Sequence, residues 1–215
     1  MKAEINDTQI EIEPNSRPYL LKRILADGFD TVLIFALFML FAMLILKTPL
    51  ADTYHMHYDA AKTILERTAK AYGNDQEAVS AALREDHVYR DEMFAANLHS
   101  YLLKALSGLA AEALILLLVP FLNRNRCTPG KLMTGVMPFN ELRQSRVVWY
   151  QILYRFLFVF LIDSLAFYLF TGILTFLLIP VLRLTEMLFS KKHKTLCDLI
   201  TGVMIIEKLS YDGIN

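Results

Sequence analysis

Charge is scarce in this chain: 20% of its 215 residues are Asp, Glu, Lys or Arg, against 55% that are hydrophobic. That balance is too apolar for an ordinary soluble domain of this length. Twenty-two basic residues offset twenty-two acidic ones, so no global field points to nucleic acid or to a polyanionic substrate. Cysteine is nearly absent. Cys127 and Cys197 lie outside any CxxC pattern, which leaves a redox motif or a cysteine metal site without support. The topology argued below puts both on the cytoplasmic side, where thiols stay reduced. The basic start and early apolar core of a cleavable signal peptide are lacking as well. Glu4, Asp7, Glu11 and Glu13 precede any apolar run, so the first apolar helix is expected to remain as an anchor.

What the chain does have is apolar blocks. Thr31 to Leu46 carries no charge, but at ~1.5 Å per residue it reaches only about 24 Å, short of a hydrocarbon core of roughly 30 Å. Pro49 limits growth at the far end, so the helix extends backwards through Asp30 and Asp27. The expected layout is a cytoplasmic tail (1–18), a first span (19–47), an extracytoplasmic segment (48–100) and a second span (101–123). A cytoplasmic segment with a short helix (124–149), a third span (150–170), a fourth (171–189) and a second tail with a short helix (190–215) complete it. Basic residues set the direction. Lys22 and Arg23 precede span one, Arg124, Arg126, Lys131, Arg143 and Arg146 lie between spans two and three, and Lys191, Lys192 and Lys194 follow span four. Acids outnumber bases between Thr48 and Ser100. Both chain ends are therefore expected in the cytoplasm.

The external segment has helical spacing of apolar residues over Tyr58 to Ala71 and Gln76 to Leu98, with a turn at Gly73, Asn74 and Asp75. A small helical cap is expected there. His55 and His57 lack firm further ligands and read as solvated side chains rather than a metal site.

Comparing the chain with itself is more informative. Thr128-Pro-Gly-Lys-Leu-Met-Thr-Gly-Val-Met137 lines up with Thr195-Leu-Cys-Asp-Leu-Ile-Thr-Gly-Val-Met204, and Leu117-Leu-Val-Pro-Phe-Leu122 with Leu177-Leu-Ile-Pro-Val-Leu182. Arg23 with Asp30 has a counterpart in Arg155 with Asp163. The expected fold is all-α: four transmembrane helices as two parallel two-helix repeats about an axis along the membrane normal, with the helical cap inserted into the first repeat. Thr128 with Pro129, and Thr195 with Asp198 as a capping-box acid, predict two short helices. Gly135 and Gly202 stop them in the left-handed conformation. The Val-Met runs that follow are expected to be extended and to pair with each other at the cytoplasmic face.

The run Arg23-Ile-Leu-Ala-Asp-Gly-Phe-Asp30, then Thr128-Pro129-Gly130-Lys131, then Lys194-Thr-Leu-Cys-Asp198-Leu-Ile-Thr-Gly202 resembles the RDD family of bacterial membrane proteins, named for one arginine and two aspartates. The resemblance covers nearly the whole chain apart from the external cap. It implies that Arg23, Asp30 and Asp198 are the name-giving residues, and transport is the role proposed for the family. This chain departs from it in carrying Cys197 where many members have His.

An ionisable group near the bilayer centre costs ~3 kcal/mol even on the lenient insertion scale, so it faces a partner or a wet cavity. Asp30, Glu112 and Asp163 are the candidate ion- or proton-binding acids, and Arg23, Asp27, Arg155, Arg183 and Glu186 their charge partners. The bland reading makes the same groups structural glue between the halves, with Arg183 and Glu186 an internal pair and Asp198 a helix-start acid. Small residues around Glu112 (Ser107, Gly108, Ala110, Ala111, Ala113) turn it toward another helix. Two functions follow: a small cation or proton transporter, homo-oligomeric because four helices enclose little room, or a membrane assembly protein holding a protein partner at the external cap or the cytoplasmic segments. An intramembrane enzyme ranks below both, since no span contains a histidine or a nucleophile–base arrangement. No cofactor and no nucleic-acid partner is called for; the lipid bilayer is the expected surrounding.

Overall fold

A computed structural model describes residues 2–5, 8–11, 17–73, 75–143, 145–161, 175–190 and 193–207. Asp163 and the Thr171–Gly172 turn expected from the sequence lie outside the described residues. The chain divides into two compact units, Met1–Phe38 with Gly108–Asn215, and Met39–Ser107.

Among the described residues, two helices are long and apolar enough to cross a membrane. The first, α1 (Arg17–Ile45), has Pro18 in its opening turn, where a missing N–H is harmless. Only 17% of its most apolar stretch is buried within the protein, so Val32, Leu40, Met43 and Leu44 present bare hydrocarbon of the kind that lipid covers. The opposite face is a stripe at helical spacing: Arg23, Ala26, Asp30, Ile34 and Phe38 are all buried.

The smaller unit contains α2 (Pro49–Tyr72), which starts on Thr48 and Pro49, and α3 (Gln76–Glu85). The second apolar helix, α4, runs without interruption from His87 to Leu122. This corrects the single helix expected over 76–98. Asp86 leaves helical geometry at the end of α3, and its carboxylate accepts the Tyr89 N–H at 3.0 Å, restarting the helix one residue later. Nothing between Leu98 and Tyr101 breaks it again. Within the smaller unit His57 Nδ1 lies 2.6 Å from Glu92, and its ring stacks on His99.

Near its end α4 widens into a π-helical stretch over Ala113–Leu118, with the Val119 N–H reaching the Leu114 carbonyl. The cause is Pro120, whose ring cannot fit against the carbonyl of a regular preceding turn and has no N–H to return.

In the larger unit, α5 (Pro129–Thr134) leads into β3 (Val136–Asn140) and β4 (Ser145–Arg146). Next come α6 (Trp149–Leu161) and α7 (Thr175–Phe189), then α8 (Leu196–Thr201) and β5 (Val203–Glu207). The expectation of an all-α chain is corrected at this point. Helix dominates, but β4, β3 and β5 form a three-stranded antiparallel sheet, and the N-terminal strands β1 (Lys2–Ile5) and β2 (Thr8–Glu11) form a hairpin. Each short helix stops at a left-handed glycine, Gly135 (φ 71°) or Gly202 (φ 63°). An apolar, β-rich run then extends from it. Val136, Phe139, Val203, Ile205 and Ile206 are essentially solvent-free, so the sheet is buried on both faces and reads as continuous hydrophobics.

The two segments Thr128–Met137 and Thr195–Met204 share more than residue types. Thr128 and Thr195 have nearly identical backbone angles (φ −73°, ψ 162° and φ −75°, ψ 162°). Arg126 and His193, each two residues earlier, are both left-handed. Thr134 and Thr201 each return a hydroxyl to the carbonyl four residues back. β3 and β5 pair about Pro138↔Ile205, which occupy matching positions in the two segments.

Candidate functional site

Charged residues from distant parts of the larger unit converge around these two short helices. The first cluster centres on Asp198, which is fully buried. It begins as a local capping box: the Thr195 hydroxyl accepts the Asp198 N–H, and the Asp198 carboxylate accepts the Thr195 N–H at 3.1 Å. Two guanidinium groups then close over the same carboxylate. Arg23 from α1 binds Oδ2 and Arg155 from α6 binds Oδ1, while Arg23 also donates to the His193 carbonyl. Burial alone would raise the Asp198 carboxyl, but the two arginines and the hydrogen bonds outweigh it and hold the group far below the ordinary carboxylate range. Asp198 is thus a helix-start acid and also the anion that joins α1, α6 and α8.

The second cluster centres on Asp30 and the start of α5. Thr128 occupies the N-cap position without capping through its side chain. Its hydroxyl donates instead to Asp30 Oδ2. Asp30 Oδ1 accepts the Gly130 N–H at 2.7 Å, so the capping acid of α5 arrives from α1, a hundred positions away. Lys131 lies 3.7 Å from Asp27 and 3.8 Å from Asp30. Those separations are too long for hydrogen bonds but short enough for strong charge attraction. A Cβ on Gly130 would sit 2.1 Å from the Ala26 carbonyl oxygen and 2.9 Å from Asp30 Oδ1. Glycine is therefore what lets α5 come close enough to be capped from α1.

A cavity of about 70 Å³ lies between the clusters, lined by Arg23, Asp27, Asp30, Lys131, Arg155 and Arg183 among others. It has room for a few waters, at roughly 10–15 Å³ of such volume each, and none for a metabolite.

The structure therefore gathers Arg23, Asp27, Asp30, Thr128, Gly130, Lys131, Arg155, Arg183 and Asp198 into one region. Glu112 is buried at the start of the π-helical stretch and is not among the cavity-lining residues, although Leu116, one turn further on, is. Glu186 accepts the Leu196 N–H at 3.0 Å, which assigns it to the α8 entry. Arg155, expected beside the acids of the spans, is instead bound to Asp198, and the cation beside Asp30 is Lys131. The sequence held a signal for this. At the third helical position α8 has an acid, Asp198, whereas α5 has Lys131. A Thr-led helix with a base at that position needs its carboxylate from elsewhere.

No curated protein and no solved structure matches the chain. The profile of the RDD family matches residues 17–202, spanning both clusters and everything between them. With its apolar helices and this match, the chain is a membrane protein that belongs to the RDD family.

Proposed function

We propose that the protein is a small transporter of protons or cations in which Asp30, assisted by Asp27, is the exchange site and Lys131 its tethered competitor. The observation that carries this reading is the gap between Lys131 and the two carboxylates, 3.7 and 3.8 Å, at a cavity sized for water or a bare ion. A proton or cation arriving at Asp30 takes over the charge compensation, and the ammonium is released. Arg23 and Arg155 do not compete, because both are bound to Asp198. Glu112 and Asp163 would extend the path deeper into the bilayer.

The accompanying architecture is four spans in two parallel repeats, with both termini cytoplasmic in a bacterial inner membrane. The matched caps, left-handed residues and strand register support the repeat. Several copies would assemble, because one cavity this small does not make a path across a membrane. The test is reconstitution. Vesicles containing the protein should dissipate proton or sodium gradients faster than empty vesicles, and Asp30→Asn should return the rate to the empty level. Parent protein that dissipates neither gradient would overturn the reading.

A second reading, partner binding through the insertion, is favoured by the exposure of Phe94 (70%) and Val88 (61%) there. Crosslinking from that unit that recovers one stoichiometric partner would support it over transport.

A further inference from the structure

The geometry points to a binding site for one acyl chain of an anionic phospholipid in the groove between α6 and α8, with the lipid phosphate on Arg143. The groove encloses about 650 Å³, within the roughly 300–1,000 Å³ typical of ligand sites. Its wall is apolar: Tyr154, Leu157 and Leu161 on α6, Ile200 on α8 and Leu142 on the turn after β3 all line it, and all are exposed. Two of its polar members, Asn140 and Gln151, are already satisfied within the protein. Asn140 donates to Gln151 at 3.1 Å, and Gln151 donates to the Thr201 carbonyl at 2.9 Å. They ask nothing of an occupant, which therefore needs a long apolar body.

Arg143, exposed on the rim, identifies the other end of the occupant as anionic. Tyr150 and Tyr154 add aromatic rings with polar tips, which favour the boundary between hydrocarbon and headgroups. A lipid with one chain along α6 and a charged head at the turn satisfies both features. The same two helices carry Arg155 and Asp198, so an occupied groove would brace the buried clamp from outside. The inference stands whether or not ions move.

The chain's only tryptophan is Trp149, which makes a direct test practical. In the full-length protein carrying Trp149→Phe, Tyr154→Trp places a reporter on the groove wall. Titration in detergent with brominated-acyl phosphatidylglycerol should quench it saturably. The midpoint should be about five-fold lower than for brominated phosphatidylcholine, the effect expected of one basic residue at an anionic headgroup. Arg143→Gln should remove that difference. Leu142→Trp supplies a second reporter if the first variant does not fold. Quenching that never saturates, or that ignores the headgroup in the parent, overturns the proposal, whether the groove is empty or covered by a second copy of the chain.

Discussion

The short helices α5 and α8 have one shape and opposite electrostatics. Both start on threonine, both end at a left-handed glycine, and both feed a buried strand. At the third helical position one has Lys131 and the other Asp198. Asp198 caps its own helix and holds two arginines, so the α8 end is a closed, hydrogen-bonded clamp. The α5 end borrows its capping acid from α1 and leaves Lys131 bonded to Thr128, 3.8 Å from that acid and without a direct hydrogen bond to it. A buried charge that is tightly paired is structural. One whose counter-ion lies beside it without a hydrogen bond, on the wall of a cavity, can exchange it.

Breaking the clamp should produce the largest effect. Asp198→Asn leaves Arg23 and Arg155 buried without their anion, and a loss of about 3–5 kcal/mol is expected. Denaturant-induced unfolding of the detergent-solubilised protein measures it. The pH dependence has a definite sign. The folded-state pKa of Asp198 lies below its unfolded value of about 3.9, so its contribution is fully present above that value and is lost as pH falls through the folded one. The stability difference between parent and Asp198→Asn should stay constant from neutral pH to about pH 5 and shrink only below about pH 4.

Next in size is Gly130→Ala. The new methyl meets the Ala26 carbonyl at 2.1 Å, forcing α5 off α1 at a cost of about 1–3 kcal/mol or more. The matching position in the other segment is Cys197, which already has a buried side chain, and Cys197→Ala should cost less, about 1 kcal/mol. Equal losses at the two positions would mean that α5 and α8 are packed alike, contrary to their geometry. Smallest is Thr195→Val, which removes a helix cap in place and should lower stability by about 1 kcal/mol.

Much of the fold was legible in the residues because local rules write it: threonine caps, stop glycines, the proline that opens α2, and the charge-free run of α1. The paired strands were legible because they repeat the same words after the same stop. Less accessible was the partnership of charges. Spacing along α1 places Arg23, Asp27 and Asp30 on one face, but nothing local says that Arg23 reaches α8 while Asp30 reaches α5. That choice is made by Gly130, whose missing side chain admits one approach, and by the opposite charges of Lys131 and Asp198, each drawing its complement from α1. The break at Asp86 is hidden in the sequence because the apolar period continues across it, and only the carboxylate's bond to Tyr89 marks the restart.

The most direct test compares flux per folded molecule for Asp30→Asn and Ile205→Val in the same vesicles, with stability measured alongside. Ile205 is a buried strand residue that does not line the cavity. Ile205→Val, though destabilised by about 1 kcal/mol, should carry protons or cations at the parental rate, while Asp30→Asn should lose at least about ten-fold, the rate equivalent of ~1.4 kcal/mol. Flux that falls only in step with stability in both variants, or that survives Asp30→Asn, would contradict an exchange site at Asp30.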